Sequence, residues 1–439
     1  MKHFICLFVL ISTLSSCSDN SIVVIEEVLI PSSGVGENVE HAVTRFGGSG
    51  DDRIYDVIKV DDGLVIVGQT NSVDGDFEGV NVGDFRYNDS SAFVLKVGLD
   101  KELEWVKAYG GDGESLFDYV FEDGDGYTVF GRSNSASGNF EGLSSFKAVL
   151  DSRGELVSVY AIPEDLSYAF VSDFISNSNL IQNYSEGTIH YLATGSKHRN
   201  VSLLYIDENL DLTLSRTYEG ESNKSDWGVA GLSLLDGFLV AGNTQSNEGV
   251  FEGLNPDLLD NSSTNVFLMK TDRAGEIEWL HTYGGRERDE LIALTKGGND
   301  NYIIAGNNQT NDGDFEGYGG EFQRNINQIF MISINASGET EWIKTYGGSE
   351  REWLESLVAT PDGGFLMSGL SYSNDGHFFL RKVNQDGEKE WVKRFNIGLS
   401  AKATFSYQNK SFVLFGSNEA AGENKFVLIQ VDQNGNLIE

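Results

Sequence analysis

The chain is poor in proline, with 4 among 439 residues, and in cysteine, with 2. It is short of positive charge, with 31 Lys+Arg against 67 Asp+Glu, a formal net charge of −36. That deficit argues against nucleic acid as a partner, because neutralising phosphates requires Lys and Arg. It also disfavours attraction to anionic headgroups. No stretch beyond the first residues is apolar for long enough to cross a bilayer as a helix. Sustained helical periodicity is missing too, so the chain reads as all-β. There is no Gly-x-Ser-x-Gly elbow, no His-Glu-x-x-His, no phosphate-binding loop ending in Lys-Ser/Thr and no dinucleotide fingerprint. His41, His190, His198, His281 and His377 are scattered without ligand spacing. The sequence leans away from enzyme chemistry. Hydrophobic residues make up 40%, enough for a packed core, so wholesale disorder is excluded.

What is present begins with an address. Residues 1–16 carry Lys2, no acid, and the apolar run Phe4 to Ile11, too short to span a membrane but suited to a secretory signal. The run ends in Leu14-Ser15-Ser16-Cys17, which resembles the lipobox of bacterial lipoproteins. The resemblance implies cleavage before Cys17 and acylation of that cysteine. Residues 17–38 then form a tether, and Ser18 after the acylated position resembles lipoproteins sent to the outer membrane of a Gram-negative bacterium. The protein would face the periplasm or the cell surface. Removing Cys6 with the leader leaves no pair for a disulfide. Several acyl chains anchor firmly, since each buried methylene contributes about 0.8 kcal/mol.

An aromatic followed by Gly-Gly recurs at Phe46, Tyr109, Tyr283 and Tyr346, with degenerate copies at Tyr160, Tyr218 and Phe395. The interval is about 50–65 residues and carries four strand signals, the size of a propeller blade. In the first unit these are Ile54 to Ile58, Leu64 to Val67, Ala92 to Val97 and Leu103 to Tyr109. The pattern predicts a seven-bladed β-propeller over residues 39–439, with four-stranded antiparallel blades. Units start near 46, 109, 160, 218, 283, 346 and 395. The C-terminal Leu437-Ile438 stops where a fourth strand should continue, and Ala42 to Phe46 matches the missing half. The N-terminal strand is therefore expected to complete the last blade and close the ring.

Four recurring elements carry a resemblance to a family. They are Tyr-Gly-Gly-Ser, Asp362-Gly363-Gly364-Phe365, Asn311-Asp312-Gly313-Asp314 and Asp-x-x-Gly followed by Trp-x-Lys. Together they resemble a bacterial β-propeller repeat family of secreted and lipid-anchored proteins. The resemblance implies the fold and the localisation rather than one activity.

Strand alternation sends the long loops after strands two and four to one face, the expected functional face. Two of these loops repeat an acidic spacing: Asp74, Asp76 and Glu78, then Asp312, Asp314 and Glu316. Such oxygens suit calcium, which takes six to eight oxygen ligands. The same residues are also turn formers, with carboxylates on backbone amides and glycine at special dihedrals. Trp105, Trp279, Trp342 and Trp391 repeat at one fourth-strand position and read as packing between blades. Trp227 and Trp353 fall near loops after strand four, and Phe85, Tyr87, Tyr318 and Phe322 lie in the longest insertions. These six are candidates to stack on a ligand, or else to form small cores under the loops. The expected function is a non-enzymatic binding or scaffold lipoprotein with a protein or glycan partner. The alternatives are a polysaccharide-active propeller enzyme, lyase or glycoside hydrolase, and a structural component of a surface assembly.

Overall fold

The computed structural model describes residues 43–81, 89–164, 166, 179–185, 188–197, 199–258, 262–298, 300–318, 327–347, 351–371, 377–395, 400–407, 411–417 and 426–438. The leader, Cys17, the tether, Phe85, Tyr87 and Phe322 lie outside them.

The described strands form four-stranded antiparallel sheets, seven in all. Six are blades of continuous chain, at 52–109, 115–161, 179–218, 226–283, 289–346 and 352–395. The expectation of seven blades repeating from Phe46 onward is corrected on this point: six units, not seven, supply a whole blade. After the sixth, the chain contributes only three strands, Ser400–Tyr407, Ser411–Ser417 and Phe426–Val431. The fourth strand of this composite sheet is Val43–Phe46, paired antiparallel from Val43↔Ile429 to Phe46↔Phe426. The innermost strand of the composite sheet touches those of both the sixth and the first blade, so the circle closes.

Burial within a blade explains its sequence. Strands two and three of the first blade, Gly63–Thr70 and Ser91–Gly98, are buried throughout because each has a neighbouring strand on both edges and a blade on both faces. They read as continuous apolar runs for that reason. The outer strand Leu103–Tyr109 is mostly half-buried, with Glu104 exposed and Tyr109 buried. Six of the seven described inner strands carry a register shift at the same place, as between Ile54 and Asp56 or Leu354 and Ser356, and only that of the third blade lacks it. A β-bulge bends the strand and strengthens its twist. Beside it sits a glycine of strand two: a Cβ on Gly68 would lie 1.8 Å from the Arg53 carbonyl, and one on Gly369 would lie 1.9 Å from that of Trp353.

The repeat motifs turn out to be latches between blades. Tyr109 donates its hydroxyl to the Gly154 carbonyl of the next blade at 2.5 Å, Tyr218 to Gly275 at 2.9 Å and Tyr346 to Gly387 at 2.7 Å. Gly154 and Gly387 have positive φ and lie flat on Trp105 and Trp342 of the preceding blade. A Cβ on Gly154 would come within 2.5 Å of the Trp105 ring. The Lys of Trp-x-Lys reaches the same turn, Lys107 to Glu155 at 2.6 Å and Lys344 to Glu388 at 2.5 Å. The two kinds of contact differ in strength. Tyr346→Phe is expected to cost about 1 kcal/mol, because it leaves a buried carbonyl unpaired. Lys344→Met is expected to cost under about 0.5 kcal/mol, as exposed ion pairs do. Urea melts of the two variants check the ranking, and equal losses would refute the latch.

Candidate functional site: the long-loop face and the central opening

On the long-loop face, acids hold one loop against another. The 3-10 turn Gly75–Phe77 buries Phe77 edge-on against Phe93, with ring centroids 5.3 Å apart. Its flanking acids reach to the loop that enters the same blade. Asp76 accepts the Gly47 N–H at 2.8 Å, and Asp74 accepts the Ser49 N–H at 2.7 Å. The fifth blade repeats this, with Asp314 on the Gly284 N–H at 2.9 Å and Asp312 on the Arg286 N–H at 3.0 Å. Glu78 and Glu316 close their turns through their own backbone N–H groups, to Gly75 and Gly313. The carboxylates thus stand where turn geometry needs acceptors. Among the described residues, no three His, Cys, Asp or Glu side chains gather as a cation site.

A second set of acids lies deeper. Asp52 accepts the Ser72 hydroxyl at 3.0 Å and the Gly48 N–H at 2.7 Å, and bonds Thr70 as well. Asp226 repeats the set with Thr244 at 2.6 Å and Ser246 at 2.7 Å. Burial raises the pKa of both carboxyls, against the pull of these donors, and raises that of Asp289 well above the ordinary range. The partners of Asp52 and Asp226 are hydroxyls and amides, with no imidazole to act as a base. These groups order the blade ends.

The inner strands surround the axis, and one register position recurs on five of them. It is the residue before the bulged turn, opposite the residue after the strand-two glycine. Arg53 pairs with Gln69, Leu116 with Arg132, Trp227 with Asn243, Glu290 with Asn307 and Trp353 with Leu370. Trp227 and Trp353, singled out in the sequence, therefore occupy equivalent places. Glu290 of the intervening blade stands between them. Trp227 is half-buried against the core shared by the fourth and fifth blades, and Trp353 is half-buried too. Asn243 and Asn307 stitch the seams beneath: Asn243 accepts the Leu291 N–H at 2.8 Å, and Asn307 accepts the Leu354 N–H at 2.7 Å. Tyr318 sits away from this position, half-exposed on its loop, its carbonyl bonded by Thr345.

On the inner strands of the first and second blades the chemistry is polar. Arg53 pairs with Asp51 at 2.7 Å and bonds the Tyr55 hydroxyl. In the second blade Asp118, buried, takes a two-pronged contact from Arg132 at 2.9 Å on each arm. Burial raises the Tyr55 phenol, and the positive charge of Arg53 opposes the shift. Asp56 accepts the Val57 N–H at 2.8 Å and, across the seam, the Val120 N–H at 2.9 Å. Burial nevertheless pushes Asp56 up to about 7. Sequence reading did not single out Arg53, Tyr55, Asp118, Arg132 or Glu290. A partial signal was available: Arg53, Leu116, Glu290 and Trp353 each stand five residues after the second glycine of a Gly-Gly, whereas Trp227 follows Glu219-Gly220 at a different distance.

No protein-family model matches the chain, and no curated protein matches it. Solved structures do resemble it. The polysaccharide lyase Uly1 is 8% identical over 86% of this chain and 90% of its own, with a TM-score of 0.50. Sqt1 from Chaetomium thermophilum is 10% identical over 89% and 98%, with a TM-score of 0.47. The WD40 β-propeller domain of Doa1 is 12% identical over 88% and 95%, with a TM-score of 0.44. At such identities a likeness bears on fold alone, and with the strand order the lyase's likeness makes the chain a β-propeller of four-stranded antiparallel blades.

Proposed function

We propose that this protein is a non-enzymatic binding propeller, held at the outer membrane by a lipid on Cys17, whose long-loop face takes a glycan at the mouth of the central opening. The observation that carries the binding reading is the shared register of Trp227, Glu290 and Trp353 on three successive inner strands. Two indole faces flanking a carboxylate suit a sugar chain: the apolar C–H faces lie on the rings while hydroxyls bond the acid. The rigid strands fix these groups before the ligand arrives, which lowers the ordering cost of binding. The anchoring half of the reading is supported by the Phe4 to Ile11 run and Leu14-Ser15-Ser16-Cys17. The aspartates at the blade ends are engaged by hydroxyls and amides, which favours binding over turnover.

A soluble chain starting at Ser18, screened on immobilised glycans, tests it. Trp227→Ala and Trp353→Ala are each expected to weaken capture about tenfold or more, the size of a truncated aromatic anchor. Capture unchanged in both variants would overturn the site. Release of shortened oligosaccharides would replace the binding reading with an enzymatic one.

A further inference from the structure

We propose that the long-loop end of the sixth blade is a binding site for an oxyanion, a sulfate, phosphate or carboxylate group, gripped by Arg381 and Arg394. The inference stands apart from the glycan reading and rests on how this blade departs from its neighbours. In four other blades a loop aromatic covers the third-strand phenylalanine: Phe77 on Phe93, Phe140 on Phe146, Phe251 on Phe267 and Phe315 on Phe330. In the sixth blade only five residues separate Ser371 from His377, fewer than join the second and third strands of those four blades. There Arg381 lies over the equivalent ring, its guanidinium 5.2 Å from Phe379 and 5.4 Å from the ring of Tyr346.

Register shows how unusual these arginines are. The positions equivalent to Arg381 hold Leu95, Met269 and Ile332, and those equivalent to Arg394 hold Ala108, Thr282 and Thr345. Apolar and small residues therefore suffice for packing there. Both guanidinium groups converge on one carboxylate, Glu352, with Arg381 Nη2 at 2.7 Å and Arg394 Nη2 at 2.9 Å. Two positive charges against one negative leave a net positive charge, in a chain whose overall formal charge is −36.

The donors are not all used. Arg381 is 4% exposed, and among the described residues its Nε and Nη1 have no hydrogen-bond partner; nor has the Nε of Arg394. Ring faces stabilise the charge of a guanidinium but offer no oxygen to its N–H groups. Buried donors without acceptors are costly, and an oxyanion meets both needs by supplying acceptors and the missing negative charge. The Arg394 side chain is 25% exposed and gives the anion its way in, while Arg381 closes over its inner side.

Thermal melts of the soluble chain with inorganic phosphate, sulfate or glucuronate, against sodium chloride of equal ionic strength, test the site. A saturable rise in Tm of about 1–3 °C is expected for the preferred oxyanion. The probe with the lowest half-saturation concentration tells whether the natural group is a free inorganic anion or a carboxylate on a sugar. Arg394→Thr, the residue of the fourth and fifth blades, is expected to remove the rise. Glu352→Gln is expected to strengthen it, because it removes the competing negative charge. An equal rise with chloride, or one that survives in Arg394→Thr, overturns the proposal. So does a rise weakened in Glu352→Gln, which is the outcome of a purely structural ion triad. These two variants also keep the test independent of Trp227 and Trp353.

Discussion

A variant beginning at Gly47, with Val43–Phe46 removed, is expected to aggregate on purification, and Phe46→Ala to lose about 3–5 kcal/mol of stability while staying soluble. The closing strand contributes four register pairs and one large side chain. Phe46 is 3% exposed and stacks on Phe426 at 5.9 Å, which in turn stacks on Phe93 of the first blade at 5.7 Å. The truncation therefore takes away a partner of both the composite sheet and the first blade. It also leaves Phe426–Val431 as a bare edge, an apolar segment with no proline and no charge before its end. Such an edge pairs with other chains. Phe46→Ala empties the ring's place but keeps the backbone ladder, so it separates lost packing from lost edge protection. Size-exclusion chromatography and thermal melts read the two outcomes. A truncated chain that is monomeric and melts like the parent would show that the circle is held without its N-terminal strand.

Much of this architecture was legible because the repeats state both halves of each contact. Trp-x-Lys in one unit and Asp-x-x-Gly-Glu in the next appear as separate motifs in sequence. In space they are one junction, Trp105 under Gly154 and Lys107 on Glu155. The split last sheet was legible for the same reason: Leu437 and the segment ending at Phe46 are complementary fragments of one motif. Counting whole blades was less secure, because an aromatic-Gly-Gly marks a junction rather than a complete blade. The central opening was legible only in part. Trp227 and Trp353 stood out as indoles, whereas Arg53, Leu116 and Glu290 share their register without sharing chemistry. A search for residue types passes over such a position, and strand pairing brings Trp227 into line with the others. The paired arginines of the sixth blade were hidden more deeply. Their partner Glu352 stands where the first, fourth and fifth blades have Asp52, Asp226 and Asp289, and the exchange reads as conservative until both arginines are seen to meet on it.

Asp56→Asn is expected to stabilise the protein at pH 8 by about 2–4 kcal/mol and to leave it nearly unchanged near pH 4. Asp56 lies half-buried on the inner strand of the first blade, and burial raises its carboxyl from the ordinary 3.8 to about 7. The two backbone donors, Val57 and Val120, pull the other way without compensating. A carboxyl that is harder to ionise in the folded chain than in the unfolded one holds its proton more tightly when folded. Below pH 4 both states are protonated and the group is neutral to stability in that respect. Between about 4 and 7 the unfolded chain releases the proton and the folded one retains it, so stability falls as pH rises. Above about 7 the folded carboxyl ionises too, and the full cost is present. Each step of one in pKa corresponds to about 1.4 kcal/mol, and partial exposure trims the total to the range given. Asparagine keeps an oxygen for the Val120 N–H and carries no charge, so it removes the cost while preserving the seam between the first two blades. Asp52, Asp226, Asp289 and Asp314 are raised in the same direction, so the parent should also lose stability from pH 4 to 8 through them. The difference between parent and Asp56→Asn isolates the one seam. Urea melts at pH 4, 6 and 8 should show it growing with pH; a constant difference would mean that Asp56 is ionised throughout and that its role is packing alone.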